Sequence, residues 1–230
     1  MNYLYLFLLL FSISYPLYKS FDKRVNYHKN WKNLFLAMLP MLAFMLVWDV
    51  AFTKLGIWGF NPTYNIGLSI FYLPIEEWLF FILIPFSSIF IYEVVIYYDP
   101  NQKLQKIGKP VNLALILICV TALFFGYQQL YTLVMATSLL VLLLLHQFIF
   151  KTTTSYLGRF FVAFIFILIP FIAVNGVLTG SFIVDEVVWY NMSETFGVRM
   201  GTIPIEDFGY CMFMLLLTVT FYEKLKKPKN

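Results

Sequence analysis

Apolar runs long enough to cross a bilayer leave this chain few folds to choose from. Five of them, at about 2 to 18, 33 to 52, 74 to 97, 158 to 178 and 204 to 223, approach the ~20 residues that a helix needs to span hydrocarbon. In lipid the backbone has to satisfy its own polar groups, which restricts spanning segments to helices or a closed barrel. Val111 to Phe150 is almost uninterrupted apolar sequence; as one helix it would be about 60 Å long, twice a ~30 Å core. It is expected to fold back once, around Gly126-Tyr127-Gln128-Gln129. Only 12% of the residues are charged, against about a quarter in soluble proteins. The expectation is an all-α integral membrane protein, multi-pass, with seven transmembrane helices, placed in the cytoplasmic (inner) membrane if the source is bacterial. Met1 to Leu17 has no basic leader and no small-residue cleavage site, so it reads as a retained first span and not a signal peptide.

The basic residues test that count. Lys19, Lys23, Arg24, Lys29 and Lys32 follow span one; Lys103, Lys106 and Lys109 follow span three; Lys151 and Arg159 follow span five; Lys224, Lys226, Lys227 and Lys229 follow span seven. Seven spans put all of these on one face and leave Lys54 and Arg199 for the other. Positive residues favour the cytoplasmic side, so the N-terminus is expected outside and the C-terminus in the cytoplasm. The net charge of +4 sits beside apolar runs, where it suits lipid headgroups; no nucleic-acid partner is expected.

A second constraint is internal. Leu73-Pro74-Ile75-Glu76-Glu77-Trp78 returns as Ile203-Pro204-Ile205-Glu206-Asp207-Phe208, and a Tyr-Glu pair follows each copy, at Glu93 and Glu223. All of these positions are 130 residues apart. Asp49 with Thr53 lines up with Asn175 and Thr179 at an offset of 126, and Trp58 with Trp189 at 131. The chain therefore reads as two parallel three-helix repeats joined by a linker helix, 3+1+3, with residues 1–100, 101–128 and 129–230 as its three parts. Such repeats tend to place sites where the halves meet.

Acids in the first turn of a helix complement its dipole by about 0.3 to 1 kcal/mol each, which accounts for one doublet. Their recurrence in two diverged halves points to function, because carboxyls in lipid are costly. Desolvation favours the neutral form of a carboxyl and a neighbouring carboxylate opposes ionisation, so one member of a group can hold a proton and act as acid while another acts as base. Glu76 and Glu206 are the expected principal acid–base pair, with Glu77 and Asp207 as partners. Adjacent helical residues point about 100° apart, so the two members of a doublet are not expected to face substrate equally. Aromatic faces at Trp48, Trp58, Phe80, Phe81, Trp189 and Phe208 could stabilise a cation between them. Glu93 and Glu223 lie some 25 Å further along their helices and are expected to pair with nearby lysines. His146 reads as a hydrogen-bonded packing residue, and Cys119 and Cys211 as core filler with no metal-ligand spacing around them.

These residues resemble the integral-membrane lycopene cyclases, a family found as two small subunits or as one fused chain. Trp48-Asp49, Gly56-Ile57-Trp58, Phe60-Asn61-Pro62 and Leu73-Pro74-Ile75-Glu76-Glu77 with Phe80-Phe81 are similar to the first subunit; Gly201-Thr202-Ile203-Pro204-Ile205-Glu206-Asp207 with Tyr210 is similar to the second. The resemblance implies cyclisation of the open ends of lycopene, or a related linear carotenoid, to β-ionone rings. A carboxylic acid protonates the terminal double bond, the next double bond attacks the tertiary cation, and a ring proton is lost. It implies catalysis by Glu76, Glu77, Glu206 and Asp207, and substrate binding by Asp49, Trp58, Phe80, Phe81, Asn175, Trp189 and Phe208. No cofactor, flavin or metal is expected. Asn175 stands where the first half has Asp49, so the halves need not be equivalent. A homo-oligomer is left open, and the alternative reading is a small seven-helix proton-coupled transporter of 3+1+3 parallel repeats.

Overall fold

The computed structural model describes residues 3–226; Lys227 and Lys229 of the last basic cluster lie outside the described residues. The apolar runs form seven helices: α1 (Leu4–Lys19), α2 (Trp31–Leu55), α3 (Ile75–Tyr98), α4 (Gln105–Gly126), α5 (Leu130–Leu144), α6 (Leu157–Leu178) and α7 (Ile205–Leu225). The fold-back falls where expected, between Gly126 and Leu130. Six of the helical segments are long and apolar enough to cross a membrane: α2, α3, α4, α6, α7, and α5 together with the π-helical turn Leu145–Ile149 that continues it to 20 residues, whereas α1 has 16. At ~1.5 Å per residue α1 covers about 24 Å, short of a ~30 Å hydrocarbon core.

Prolines inside α1, α2, α3, α4 and α6 are tolerable in lipid when a neighbour takes over the carbonyl each one frees. Pro16 of α1 does this to the carbonyl of Ser12, which accepts the Ser87 hydroxyl of α3 at 3.1 Å. The break in one helix thus becomes a link to another. Pro74 and Pro204 sit immediately before the first residues of α3 and α7, with extended backbone; a ring there costs no helical hydrogen bond.

α3 and α7 occupy the centre. α3 packs on α1 of its own half and on α6 of the other; α7 packs on α5 of its own half and on α2 of the other. The halves are therefore interlocked around a twofold-like axis. At one end of the bundle β1 (Trp58–Phe60) pairs antiparallel with β4 (Val188–Tyr190), and Gly59 faces Trp189. These two residues are themselves 130 apart, so the axis runs between them. This corrects the expected alignment of Trp58 with Trp189: the equivalent of Trp58 is Val188, and Trp189 lies over Gly59, where an added Cβ would stand 2.3 Å from its ring. The offset falls to 126 upstream because nine positions separate Thr179 from Val188 while five separate Thr53 from Trp58.

At the opposite, basic end the axis is marked by an exchange between the repeats. Tyr92 donates to Glu223 at 3.0 Å and Tyr222 donates to Glu93 at 2.9 Å, and the Lys226 ammonium pairs with Glu93 and approaches Glu223 at 3.9 Å. The expected pairing of both glutamates with lysine thus goes through one lysine and two tyrosines. His146 is buried between the hydroxyls of Thr152 and Thr220, at 2.6 and 3.0 Å, as a packing residue; both cysteines are buried and free.

The N-terminal ends of α4 and α6 approach closely, with glycines at the contact. A Cβ on Gly158 would lie 1.9 Å from the Leu104 carbonyl oxygen, and one on Gly108 2.2 Å from that of Thr153. Small residues let helices meet in lipid, where apolar burial gives no net attraction between them. Nearby, Arg159 clasps Asp99 through Nε to Oδ2 at 2.9 Å and Nη2 to the backbone carbonyl at 2.8 Å. Burial works against the Asp99 carboxylate, but hydrogen bonds from Arg159, Lys103 and Leu104 outweigh it and hold the group below its ordinary range. A carboxyl depressed in the fold contributes stability above its unfolded value of ~3.9 and loses it as pH falls through the folded value. The melting temperature in detergent is therefore expected to drop below about pH 4 in the native chain and to be flatter there in Asp99→Asn; a native transition centred above neutrality would contradict the clasp.

Candidate active site

The doublets sit where each β-hairpin hands over to a central helix. In the first half β2 (Ser69–Ile70) pairs with β3 (Leu73–Pro74), and in the second β5 (Arg199–Met200) pairs with β6 (Ile203–Pro204). The preceding loops are shaped alike, with the Asn61 and Asn191 side chains accepting from the Thr63 and Ser193 amides. The first carboxyl of each doublet turns under its loop. Glu76 Oε1 accepts the Ile66 amide at 2.7 Å; Glu206 Oε1 accepts the Phe196 amide at 2.5 Å and the Thr132 hydroxyl at 2.6 Å. Both are fully buried, and their Oε2 atoms have no hydrogen-bond partner among the described residues.

The second carboxyl, about 100° further round the helix, points between the halves. Glu77 and Asp207 both line a cavity of about 50 Å³, and Asp49 of α2 and Asn175 of α6 complete its polar wall. The Tyr5 hydroxyl of α1 donates to Glu77 Oε2 at 2.5 Å. Asp207 accepts from three donors: Tyr131 at 2.7 Å, Asn175 at 2.7 Å and Tyr190 at 2.9 Å. Asp49 Oδ1 accepts from the Trp58 indole at 2.7 Å, while its Oδ2 is buried with no hydrogen-bond partner among the described residues. Burial and the adjacent Asp207 push the Tyr190 phenol well above its ordinary value, so it remains a donor.

Most of the rest of the wall is aromatic, with Leu178, Val188, Cys211 and Met214 filling the remainder. Trp58 lies 5.1 Å from Tyr131, 5.9 Å from Tyr210 and 6.2 Å from Tyr190, centroid to centroid. Such rings attract a cation and keep water away from it. Chemically, the arrangement offers three carboxyls and four phenols around one small, largely apolar space: a means of giving a proton to an apolar group, holding the resulting charge and taking a proton back.

The structure gathers Glu77, Asp207, Asp49, Trp58, Phe80 and Asn175 at this cavity. It does not bring the others there. Glu76 and Glu206 are held by their loops; Phe81 is buried in the core; Phe208 packs on Phe171 at 5.2 Å; Trp189 is 40% exposed over Gly59. Sequence reasoning missed Tyr5, Tyr131 and Tyr190. The first two carried a usable signal, since they are 126 residues apart, the same offset as Asp49 and Asn175. Tyr190 carried none: its counterpart is Phe60.

No curated protein and no solved structure matches the chain. A family model described as lycopene cyclase matches residues 2–95 and 128–225, one stretch in each repeat, and passes over α4. The chain belongs to the lycopene cyclase family.

Proposed function

We propose that the protein is a lycopene β-cyclase, an isomerase that closes the open end of a linear carotenoid by acid–base chemistry without net oxidation or reduction. The observation that carries this reading is the meeting of Asp49, Glu77 and Asp207 in one aromatic cavity. Asp49 and Glu77, each with a single donor, form the acid side, and one of them protonates the terminal double bond. The next double bond attacks the tertiary cation and closes the ring. Asp207, with three donors aimed at it, is the anionic side: it stabilises the cation with the Trp58 and Tyr131 rings and takes the proton that the ring loses. Glu76 and Glu206 hold the loops from which the cavity is built. Divergence between the halves supports one shared site, because Asn175 supplies a donor to Asp207 where the first half supplies the carboxyl of Asp49.

The same reading places the α1–α3 and α5–α7 units at residues 1–100 and 129–230, with 101–128 as the linker. It places all seven helices across the membrane, with the motif end outside and the basic end in the cytoplasm, following the distribution of lysine and arginine. Expression in lycopene-accumulating cells should convert lycopene to ring-bearing pigments, read by chromatography. Unchanged lycopene in cells with verified, membrane-inserted protein would overturn the assignment.

A further inference from the structure

The carboxyl cavity is not isolated. Beside it a groove of about 400 Å³ runs between α1, α3 and α6, and the two share Phe80, Phe171, Asn175 and Cys211. Serines line this groove, but the Ser12, Ser14 and Ser87 hydroxyls are all turned onto backbone carbonyls, of Leu8, Phe11 and Leu83. Its surface is therefore mostly apolar. Tyr15 and Ala173 at its edge are exposed on the lipid-facing side of the bundle. A further cavity of about 390 Å³ continues from it, sharing Tyr15, Phe90 and Ile91, and ends among Lys19, Asp22, Arg24 and Tyr97. From Phe80 to Tyr98 along α3, at ~1.5 Å per residue, the track covers about 27 Å, close to the thickness of a hydrocarbon core.

In the other half larger side chains stand at the equivalent positions. At the same offsets, Pro170 is matched by Phe44, Val174 by Trp48 and Ser87 by Leu217. Trp48 is buried against Phe44, Phe52, Tyr210 and Phe213 at 5.1 to 6.0 Å. The duplicated position is filled.

Resting on the cyclase reading, we infer that the α1–α3–α6 groove seats the polyene chain of the substrate, which enters sideways from the lipid and lies across the membrane with one end group at the carboxyls and the other at the basic end. A long apolar rod fits both the continuity with the carboxyl cavity and the length of the track. One end is then cyclised per binding event. A two-ring product needs the one-ring pigment to leave and return reversed, so the one-ring pigment should appear free before the two-ring pigment.

The test uses the full-length protein, purified in lipid nanodiscs loaded with lycopene. Ala173→Trp obstructs the open edge, and Val47→Trp is its counterpart in the other half, where residue 47 is 72% exposed and lines none of these cavities. Ala173→Trp is expected to lower both co-purifying pigment, read by visible absorbance, and conversion by tenfold or more, with Val47→Trp unchanged. Against the chance that tryptophan disturbs folding, Ala173→Cys is purified folded and then blocked with a bulky maleimide; Cys119 and Cys211 are buried. Blocked protein that still binds and converts lycopene like the unmodified form would overturn the groove. A native protein that binds lycopene, loses it on blocking, yet never forms a ring would leave the groove standing and remove the cyclase.

Discussion

Lycopene conversion is expected to fall by about a hundredfold or more in Glu77→Gln and in Asp207→Asn, the scale associated with losing a positioned acid or base. Each replacement keeps the shape of the side chain. In Glu77→Gln an oxygen remains for the Tyr5 hydroxyl, so melting temperature should change little; Asp207→Asn leaves one oxygen for donors that now use both, Tyr131 on Oδ1 and Asn175 and Tyr190 on Oδ2, so some loss of melting temperature is expected there while insertion is kept. Glu76→Gln and Glu206→Gln are the decisive comparison. A glutamine carbonyl can still accept the Ile66 or Phe196 amide, and neither residue lines the cavity, so these variants should stay within about tenfold of the native rate. Asp49→Asn belongs with the first group, since it removes a carboxyl whose Oδ2 is free beside Glu77. Rates measured per unit of inserted protein, by chromatography of extracted pigment, separate the two groups. The reverse order, with Glu76 and Glu206 essential and Glu77 and Asp207 dispensable, would return the chemistry to the first member of each doublet.

The largest loss of stability is expected at Gly158. A side chain there meets the Leu104 carbonyl at 1.9 Å, and since the obstacle is backbone, the N-terminal ends of α4 and α6 have to move apart. Overpacking usually costs about 1 to 3 kcal/mol, and Gly158→Val should reach or pass the upper figure. Gly108→Ala should also destabilise, against the Thr153 carbonyl at 2.2 Å. Gly176→Ala provides the control: its nearest neighbour, the Ser181 hydroxyl, would be 3.5 Å away, an ordinary contact. Thermal unfolding in detergent should therefore show a large drop for Gly158→Val and almost none for Gly176→Ala. A Gly158→Val protein as stable as the native chain would mean that the close approach of α4 does not hold the bundle together.

Much of this was legible in the sequence because lipid imposes simple rules. Apolar length located the helices, the 40-residue length of the largely apolar run Val111–Phe150 located the turn before Leu130, and the repeat located the doublets. Helical geometry also indicated that the two acids of a doublet face differently. What it could not supply was which acid faces which way, because that depends on the direction from which the preceding loop returns to the helix, and the loop amides that claim Glu76 and Glu206 lie ten residues upstream. Pairing the tryptophans misled for a similar reason. Trp58 and Trp189 are alike in type and nearly alike in spacing, but the hairpin partners fix the register at 130, and one residue of slip turns a strand over. Two of the three phenols that reach Glu77 and Asp207, Tyr5 and Tyr131, come from α1 and α5, which looked like plain apolar spans; the third, Tyr190, comes from β4.

The contact between Gly59 and Trp189 has an evolutionary corollary. A residue on a twofold axis faces its own duplicate, so a homodimer of a single half would set two tryptophans, or two glycines, against each other. Neither pair could make this contact, because one ring uses the room that the missing side chain leaves. Two copies that differ in sequence, joined or separate, are free of self-complementarity at that position. The same freedom let Asp49 and Asn175 diverge, and a symmetric ancestor would have been confined to identical carboxyls on both sides of its reaction chamber.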